Sequence, residues 1–142
     1  MANVRPGGWN DSIIAQFRAN GGQMTSGPFT GRTLLLLTTK GAKTSVERTS
    51  PLVYSRDGER FVIVASKGGA PTHPAWYHNL RAHPEVTLEV GKEKFRARAS
   101  VATAAERRRL YDKHAERMPA FWDYEKKTTR KIPVIVLERL AS

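Results

Sequence analysis

The order of apolar and polar positions predicts three short strands in the first half of the chain. Residues 33–40, TLLLLTTK, form a continuous apolar run, and its short length and flanking threonines favour a strand covered on both faces. Residues 48–55 and 60–66 are two further apolar segments, and the Asp-Gly pair between them is a strong hairpin signal. Pro51 interrupts the second segment, which predicts an edge strand or a bulge there.

Strict alternation marks the strands of the second half. Residues 85–90 place valine or leucine at every other position, and residues 93–101 resume the alternation after a Gly-Lys turn. These two segments predict a long hairpin with one exposed face. The apolar run at residues 132–140 predicts a last strand.

Four other segments carry helical signals. The predicted helices span residues 11–20, 74–83, about 103–118 and 120–128. Thr103 and Glu106 have the spacing of a capping box, and Pro74 suits the first turn of a helix. The first helix is amphipathic, and we expect it to pack on the sheet, with weak contact to a membrane surface as the alternative.

The resulting order is three strands, a helix, two strands, two helices and a strand. Most connections between successive strands are too short for a helical crossover, so the strands should pair antiparallel. We therefore predict an α+β protein, an antiparallel barrel-like sheet with helices against its openings. The chain has 142 residues, a usual size for one domain, and contains no internal repeat.

Charge is the most unusual bulk property of the chain. Lysine and arginine total 24 against 13 acidic residues, a net charge of +11. Such an excess indicates an anionic partner or a solubilising surface. The basic residues are spread along the chain without a recognition-helix or RNP pattern, so we expect no nucleic-acid partner.

The chain lacks the residues that several kinds of functional site require. The chain has no cysteine, no HExxH and four histidines without metal-ligand spacing, so no metal site is predicted. No G-x-S-x-G, GxGxxG or Walker loop occurs. No apolar run approaches the roughly 20 residues of a membrane span, and no signal peptide is evident, so a cytoplasmic location is expected.

The turn at residues 38–51, TTKGAKTSVERTSP, is the first candidate for binding. Lys43 and Arg48 lie close to the hydroxyl of Thr44, and cations beside backbone N–H groups suit an oxyanion such as a phosphate. The alternative is an ordinary solvated hairpin tip.

Two further stretches have unusual composition. SKGGAPTHPAWYHNL at residues 66–80 places two adjacent glycines before a helix, where the backbone must turn tightly or approach something closely. In MPAFWDYEKKTTRKIP, Phe121 and Tyr124 share one helix face and Trp122 points elsewhere. These aromatic residues either pack in the core or form one wall of a pocket for a flat ligand.

Together these stretches resemble the deazaflavin-dependent nitroreductases and quinone reductases of actinobacteria, which use coenzyme F420. The likeness covers residues 33–138 and is carried by GAKTSVER, ASKGGAPTHPAWYHNL and TRKIPV. It implies a split β-barrel of the FMN-binding type, with a six-stranded antiparallel sheet and flanking helices. Residues 1–32 would be a leader with a short amphipathic helix, and residues 33–142 the deazaflavin-binding domain.

The resemblance also implies a cofactor site. Coenzyme F420 carries a phosphate and an oligoglutamate tail, which would account for the surplus of cations. Lys43, Thr44 and Arg48 would bind the phosphate region. The other implied cofactor contacts are Pro51, Val53, Ser66, Lys67, Gly68, Gly69, Ala75, Trp76 and Tyr77. Trp76 is alternatively only a core residue.

The substrate side of the implied site departs from the nitroreductases. Where they place several tyrosines, this chain has Met118, Phe121 and Tyr124, so only Tyr124 keeps a hydroxyl. We predict Tyr124 as the catalytic residue, donating a proton or a hydrogen bond to the acceptor, with solvent as the alternative donor. Ser45 replaces a glycine that is usual in the phosphate turn.

The predicted function is hydride transfer from reduced F420 to a flat electron-poor acceptor, a quinone, an enone or a nitroaromatic compound. The reduced polar lining favours quinones and enones over nitroimidazoles. Alternatives are an F420-binding or carrier protein with little turnover, an FMN-binding protein, and a nucleic-acid-binding protein. The protein is expected to be a monomer or a homodimer.

Overall fold

The computed structural model describes residues 9–25, 27 and 29–140. The first eight residues of the predicted leader therefore lie outside the described residues. The helices are α1 (Trp9–Ala19), α2 (Ala75–Ala82), α3 (Ala104–Arg117) and α4 (Ala120–Lys126), with a 3₁₀ turn at Lys67–Gly69. The strands are β1 (Leu34–Lys40), β2 (Glu47–Val53), β3 (Ser55–Asp57), β4 (Arg60–Val64), β5 (Glu85–Val90), β6 (Glu93–Val101) and β7 (Val134–Arg139).

All seven strands belong to one antiparallel sheet whose two edges are joined by the chain itself. The strand order is β2-β1-β5-β6-β7-β4-β3, so β2 and β3 lie at opposite edges although only Tyr54 separates them. Because consecutive Cα atoms lie about 3.8 Å apart, the two edges must meet and the sheet curls into a barrel. The predicted antiparallel split barrel is confirmed.

The strand count differs from the predicted six because one predicted strand divides. The segment predicted at 48–55 extends to Asp57, pairs with β1 through Val53 and pairs with β4 from Ser55 onward. Pro51 lies in the edge strand β2, opposite Leu36. An edge position suits proline because it has no N–H to donate to a neighbouring strand.

The leucine run of β1 is buried on both faces, as predicted. Leu35 and Leu37 lie in the barrel interior, whereas Leu34 and Leu36 face outward. The outward pair is covered by α1 and the segment after it, through Ile13, Phe17 and Met24. The apolar face of α1 therefore packs against the barrel. None of the described helices has the length and apolarity needed to cross a membrane.

The helices α3 and α4 cover the other side of the sheet. Leu110, Tyr111 and Ala115 of α3 pack against the outer faces of β4 and β7. The buried Tyr111 hydroxyl donates to the carbonyl of Phe121 at 2.5 Å and so joins the two helices. Half of the predicted capping box is present: the Thr103 hydroxyl accepts from the Glu106 N–H at 3.3 Å, whereas the Glu106 carboxylate pairs with Arg60 and Arg109.

A buried histidine lies within this second layer. His114 of α3 is fully buried, and its Nδ1 lies 2.9 Å from the Ser55 hydroxyl. Its Nε2 has no hydrogen-bond partner among the described residues. Burial, and to a smaller extent the charge of Arg117, lowers the pKa of His114 to about 4. The imidazole is therefore neutral at pH 7.

This histidine should make the protein less stable in mild acid. An unfolded histidine titrates near pH 6.5, so the unfolded chain binds the proton first and stability falls as the pH drops below that value. Between pH 6.5 and about pH 5 the loss should be about 2 kcal/mol, at roughly 1.4 kcal/mol per pH unit. Urea denaturation across this range should show a shallower dependence in His114→Gln. His78→Gln, at an exposed position, should behave like the wild type; equal slopes in all three proteins would contradict the assignment.

Candidate functional site

Two clefts that share a wall contain most of the predicted site residues. The apolar cleft, of about 580 Å³, lies between β2, the 3₁₀ turn and α4. Its lining includes Pro51, Val53, Ser66, Lys67, Gly68, Trp76, Met118, Phe121 and Tyr124. The polar cleft, of about 760 Å³, lies between the β1–β2 turn and α2, and it includes Lys43, Thr44, Arg48 and Ala75. Asn10, Ser50 and Trp76 border both clefts, so the two clefts are adjacent.

The turn of the polar cleft is closed by its own backbone and anchored to α2. Gly41 donates to the carbonyl of Val46 at 2.8 Å, and Ser45 donates to the carbonyl of Gly41 at 3.0 Å. The Asn79 side chain accepts from the Ala42 N–H at 3.0 Å. Ser45 has a φ of 61°, a left-handed conformation that favours glycine, which is the residue that the family resemblance implies at this position.

Two cations of the polar cleft have no anionic partner among the described residues. Lys43 and Arg48 are exposed, and neither forms an ion pair with another residue in the described part of the chain. Other arginines of the same chain, such as Arg108, bind two carboxylates each. Unpaired cations beside hydroxyls are suited to an external phosphate or carboxylate.

Aromatic side chains form the walls of the apolar cleft. Phe121 and Tyr124 of α4 lie in edge-to-face contact, with ring centroids 5.0 Å apart, as their shared helix face predicts. Trp76 is 9% exposed and belongs to the barrel core, yet it borders both clefts. The two interpretations of Trp76, core residue and cleft wall, therefore both hold.

The two adjacent glycines have different surroundings. Gly68 has a φ of 64°, and a Cβ at this position would meet no atom within 4 Å, so its backbone is open toward the apolar cleft. Gly69 has a φ of 83° and is buried against α4. A Cβ there would lie 2.9 Å from Cβ of Lys127 and 3.0 Å from the carbonyl oxygen of Tyr124. Close approach of the backbone to α4 therefore explains the second glycine.

Two predicted cofactor contacts lie away from both clefts. Gly69 packs on α4 as described, and Tyr77 points into the barrel core. The Tyr77 ring lies 4.6 Å from the ring of His73 and borders a third, smaller cleft with Val101 and Pro133. The structure thus brings the other predicted cofactor and substrate residues together, but not these two.

The apolar cleft also contains residues that the sequence analysis missed. Asn10, Phe29 and Arg32 come from the N-terminal segment and line this cleft. The sequence signal that could have indicated this contact was Phe29, an isolated aromatic residue in a polar loop. Arg32 forms no ion pair with another described residue, so it adds a cation to the cleft lining.

This arrangement fits a cofactor with an anionic part and a planar ring. Lys43 and Arg48 provide unpaired cations on one side, and Trp76 and Phe121 provide apolar walls on the other. The open backbone at Gly68 lets a ligand approach the main chain closely. A curled antiparallel sheet with this pair of adjacent clefts is a split β-barrel of the cofactor-binding type.

Within that class, the chain belongs to the F420H(2)-dependent quinone reductase family, which it matches over residues 10–139. An F420H(2)-dependent quinone reductase of Mycobacterium tuberculosis is 45% identical over 111 residues, covering 74% of this chain and 72% of that protein. The family resemblance and the expectation of an F420H2-dependent reductase are confirmed.

Solved structures agree with this assignment. The F420-H2-dependent reductase FDR-A is 36% identical with a TM-score of 0.68, covering 74% of this chain and 93% of that chain. A second structure, described as a domain-swapped dimer, is 32% identical with a TM-score of 0.71, covering 90% of this chain and 98% of that one.

Proposed function

We propose that this protein binds reduced coenzyme F420 across the two clefts and passes a hydride to a quinone-class acceptor. The observation that carries the proposal is that a cleft with two cations, which form no ion pair among the described residues, lies next to a cleft with aromatic walls. When bound, the reduced coenzyme supplies the hydride. Lys43, Thr44 and Arg48 would hold its anionic part, and Ser66, Lys67 and Gly68 would lie against the rest.

The lining of the apolar cleft supports a flat, weakly polar acceptor. Met118 and Phe121 offer no hydrogen-bonding group, and Pro51 and Val53 lie across the cleft on β2. A cleft with these apolar walls favours a planar acceptor such as a quinone or an enone. Nitroaromatic compounds, which carry more polar oxygen atoms, have fewer partners in this cleft.

Tyr124 is placed to serve the acceptor. Its side chain is half-buried in the cleft wall, and its hydroxyl forms no hydrogen bond with another described residue. Such a hydroxyl is suited to donate a hydrogen bond, or a proton, to the substrate oxygen that gains negative charge during hydride transfer. Tyr124 is thus our candidate for the catalytic residue.

Replacing Tyr124 with phenylalanine should lower kcat about tenfold or more for a quinone while leaving the Kd of the coenzyme nearly unchanged. The change removes only the hydroxyl, and general acid catalysis typically contributes about 10²–10⁴-fold. Steady-state assays with reduced F420 and a menadione-type quinone would measure the effect. Trp122→Phe on the same helix, which lines neither cleft, is the control. Unchanged turnover in Tyr124→Phe would remove the role and indicate solvent as the proton source.

Two measurements test the proposed function against its alternatives. A fluorescence titration should show that the purified protein binds F420 more tightly than FMN or a DNA oligonucleotide at the same ionic strength. Stopped-flow oxidation of the bound reduced coenzyme by a series of quinones should then give saturable rates. Binding without oxidation would indicate a carrier protein, and absence of F420 binding would refute the proposal.

The oligomeric state stays a prediction of a monomer or a homodimer. The similar structure described as a domain-swapped dimer supports a homodimer as one of the two. Sedimentation at two protein concentrations, with and without F420, would distinguish them.

A further inference from the structure

Arg130 reaches from the segment after α4 into the loop that precedes α2. Its Nε donates to the carbonyl of Ala70 at 2.9 Å, and its Nη2 donates to the carbonyls of Ala65 at 3.1 Å and Ser66 at 2.8 Å. Its Nη1 lies 2.9 Å from Nδ1 of His73. A guanidinium carries five N–H groups, so four of them are engaged by this one loop.

The imidazole of His73 completes this set as an acceptor. An arginine can only donate, so Nδ1 of His73 must be unprotonated and the imidazole proton lies on Nε2. Burial and the charge of Arg130 lower the pKa of His73, which agrees with a neutral ring. Three carbonyls and one imidazole nitrogen therefore surround a single cation.

The loop that Arg130 holds has an unfavourable backbone. Lys67, Gly68 and Gly69 have φ values of 50°, 64° and 83°, three consecutive residues in the left-handed region. For a residue with a side chain this conformation costs about 1–2 kcal/mol. Within the turn, Gly69 donates to Ser66 at 2.9 Å and Ala70 donates to Lys67 at 3.1 Å. Two such hydrogen bonds constrain the backbone of the turn only weakly. Contacts from outside the turn must therefore help to hold its conformation.

The same turn forms part of the apolar cleft. Ser66, Lys67 and Gly68 line it, whereas Arg130 borders neither the apolar nor the polar cleft. We propose that Arg130 is a positioning residue: by holding the carbonyls of Ala65, Ser66 and Ala70 it keeps the 3₁₀ turn in the shape that receives the coenzyme. This inference rests on the proposed function for its ligand but not for its geometry.

Arg130→Lys tests the proposal and Arg107→Lys is its matched control. Arg107 also donates from Nε to a backbone carbonyl, that of Ile132 at 2.8 Å, but makes no hydrogen bond to the 65–70 loop. A lysine presents its donors from one atom and cannot span three separated carbonyls. We expect Arg130→Lys to raise the Kd for F420 at least tenfold, and Arg107→Lys to change it less than twofold at a comparable loss in Tm. Equal Kd values in Arg130→Lys and the wild type would overturn the proposal.

A second measurement needs no coenzyme. Limited trypsin digestion with mass spectrometry should show cleavage after the exposed Lys67 at least fivefold faster in Arg130→Lys than in Arg107→Lys. If Arg130→Lys does not fold, His73→Phe removes one acceptor while keeping a ring, and it should accelerate the same cleavage about threefold. Unchanged cleavage would overturn the positioning role. Failure of the wild type to bind F420, with faster cleavage in the variant, would refute the proposed function alone.

Discussion

The double replacement Lys43→Ala and Arg48→Ala is expected to raise the Kd for F420 about a hundredfold or more. Both side chains lie in the polar cleft without an ion pair to another described residue, so an anionic ligand would be their first charged partner. A hydrogen bond to a charged group contributes about 1.5–3 kcal/mol, and we take the lower end because both side chains are exposed. Two such contacts correspond to about 3 kcal/mol, which is somewhat more than a hundredfold. Fluorescence titration at fixed ionic strength measures the change.

The control for this experiment removes the same charge elsewhere. Lys94 and Arg98 are exposed on β6 and border neither the apolar nor the polar cleft, so Lys94→Ala with Arg98→Ala lowers the net charge of +11 equally. We expect less than a threefold change in Kd, because distant surface charges are screened by salt. If both double variants weakened binding to the same extent, the general positive field would be responsible and the polar cleft would not be the anion site.

Replacement of Gly69 with alanine is expected to lower the free energy of unfolding by about 2–5 kcal/mol and to weaken F420 binding at least tenfold. The left-handed backbone costs about 1–2 kcal/mol for a residue with a side chain. The added Cβ would lie 3.0 Å from the Tyr124 carbonyl oxygen, and overpacking of this kind costs typically about 1–3 kcal/mol. Because Phe121 and Tyr124 of α4 line the apolar cleft, a displacement of α4 changes the shape of the cleft as well.

Gly68→Ala separates the two contributions. Gly68 has a similar φ of 64°, but a Cβ there has no atom within 4 Å. The alanine should therefore cost only the backbone strain, about 1–2 kcal/mol. Urea denaturation of both variants gives the comparison directly. A Gly69→Ala protein as stable as Gly68→Ala would show that α4 yields without cost, against the close contact described above.

The strands and helices were predictable because each segment has a clear periodicity. The continuous apolar run at 33–40 marks a strand that is buried on both faces. The alternation at 85–90 marks a strand that is buried on one face. The division at Tyr54 was not predictable. It depends on which strand each half pairs with, and a single apolar segment gives no local sign that its partner changes from β1 to β4.

The phase of α2 explains the departure at Tyr77. Trp76 and Tyr77 are adjacent, and successive side chains of a helix point about 100° apart. When Trp76 borders the clefts, Tyr77 must point away from them, and here it enters the barrel core. The motif resemblance named both aromatic residues, and of the two only Trp76 borders these clefts.

Contacts between distant segments account for what the sequence did not reveal. Ser55 and His114 are 59 positions apart, so no spacing rule joins them. A partial signal existed, because His114 shares a helix face with Leu110 and Tyr111, which indicates burial. The approach of Phe29 and Arg32 to the apolar cleft likewise depends on how the N-terminal segment crosses the barrel.

The passage of the chain from β2 through Tyr54 to β3 has a thermodynamic consequence. The strand that joins the two sheet edges also carries Arg48, Pro51 and Val53, so the residues that would hold a ligand are those that keep the barrel shut. A ligand that binds only the shut form opposes opening by RT ln(1 + [L]/Kd), about 2.7 kcal/mol at a hundredfold excess over Kd.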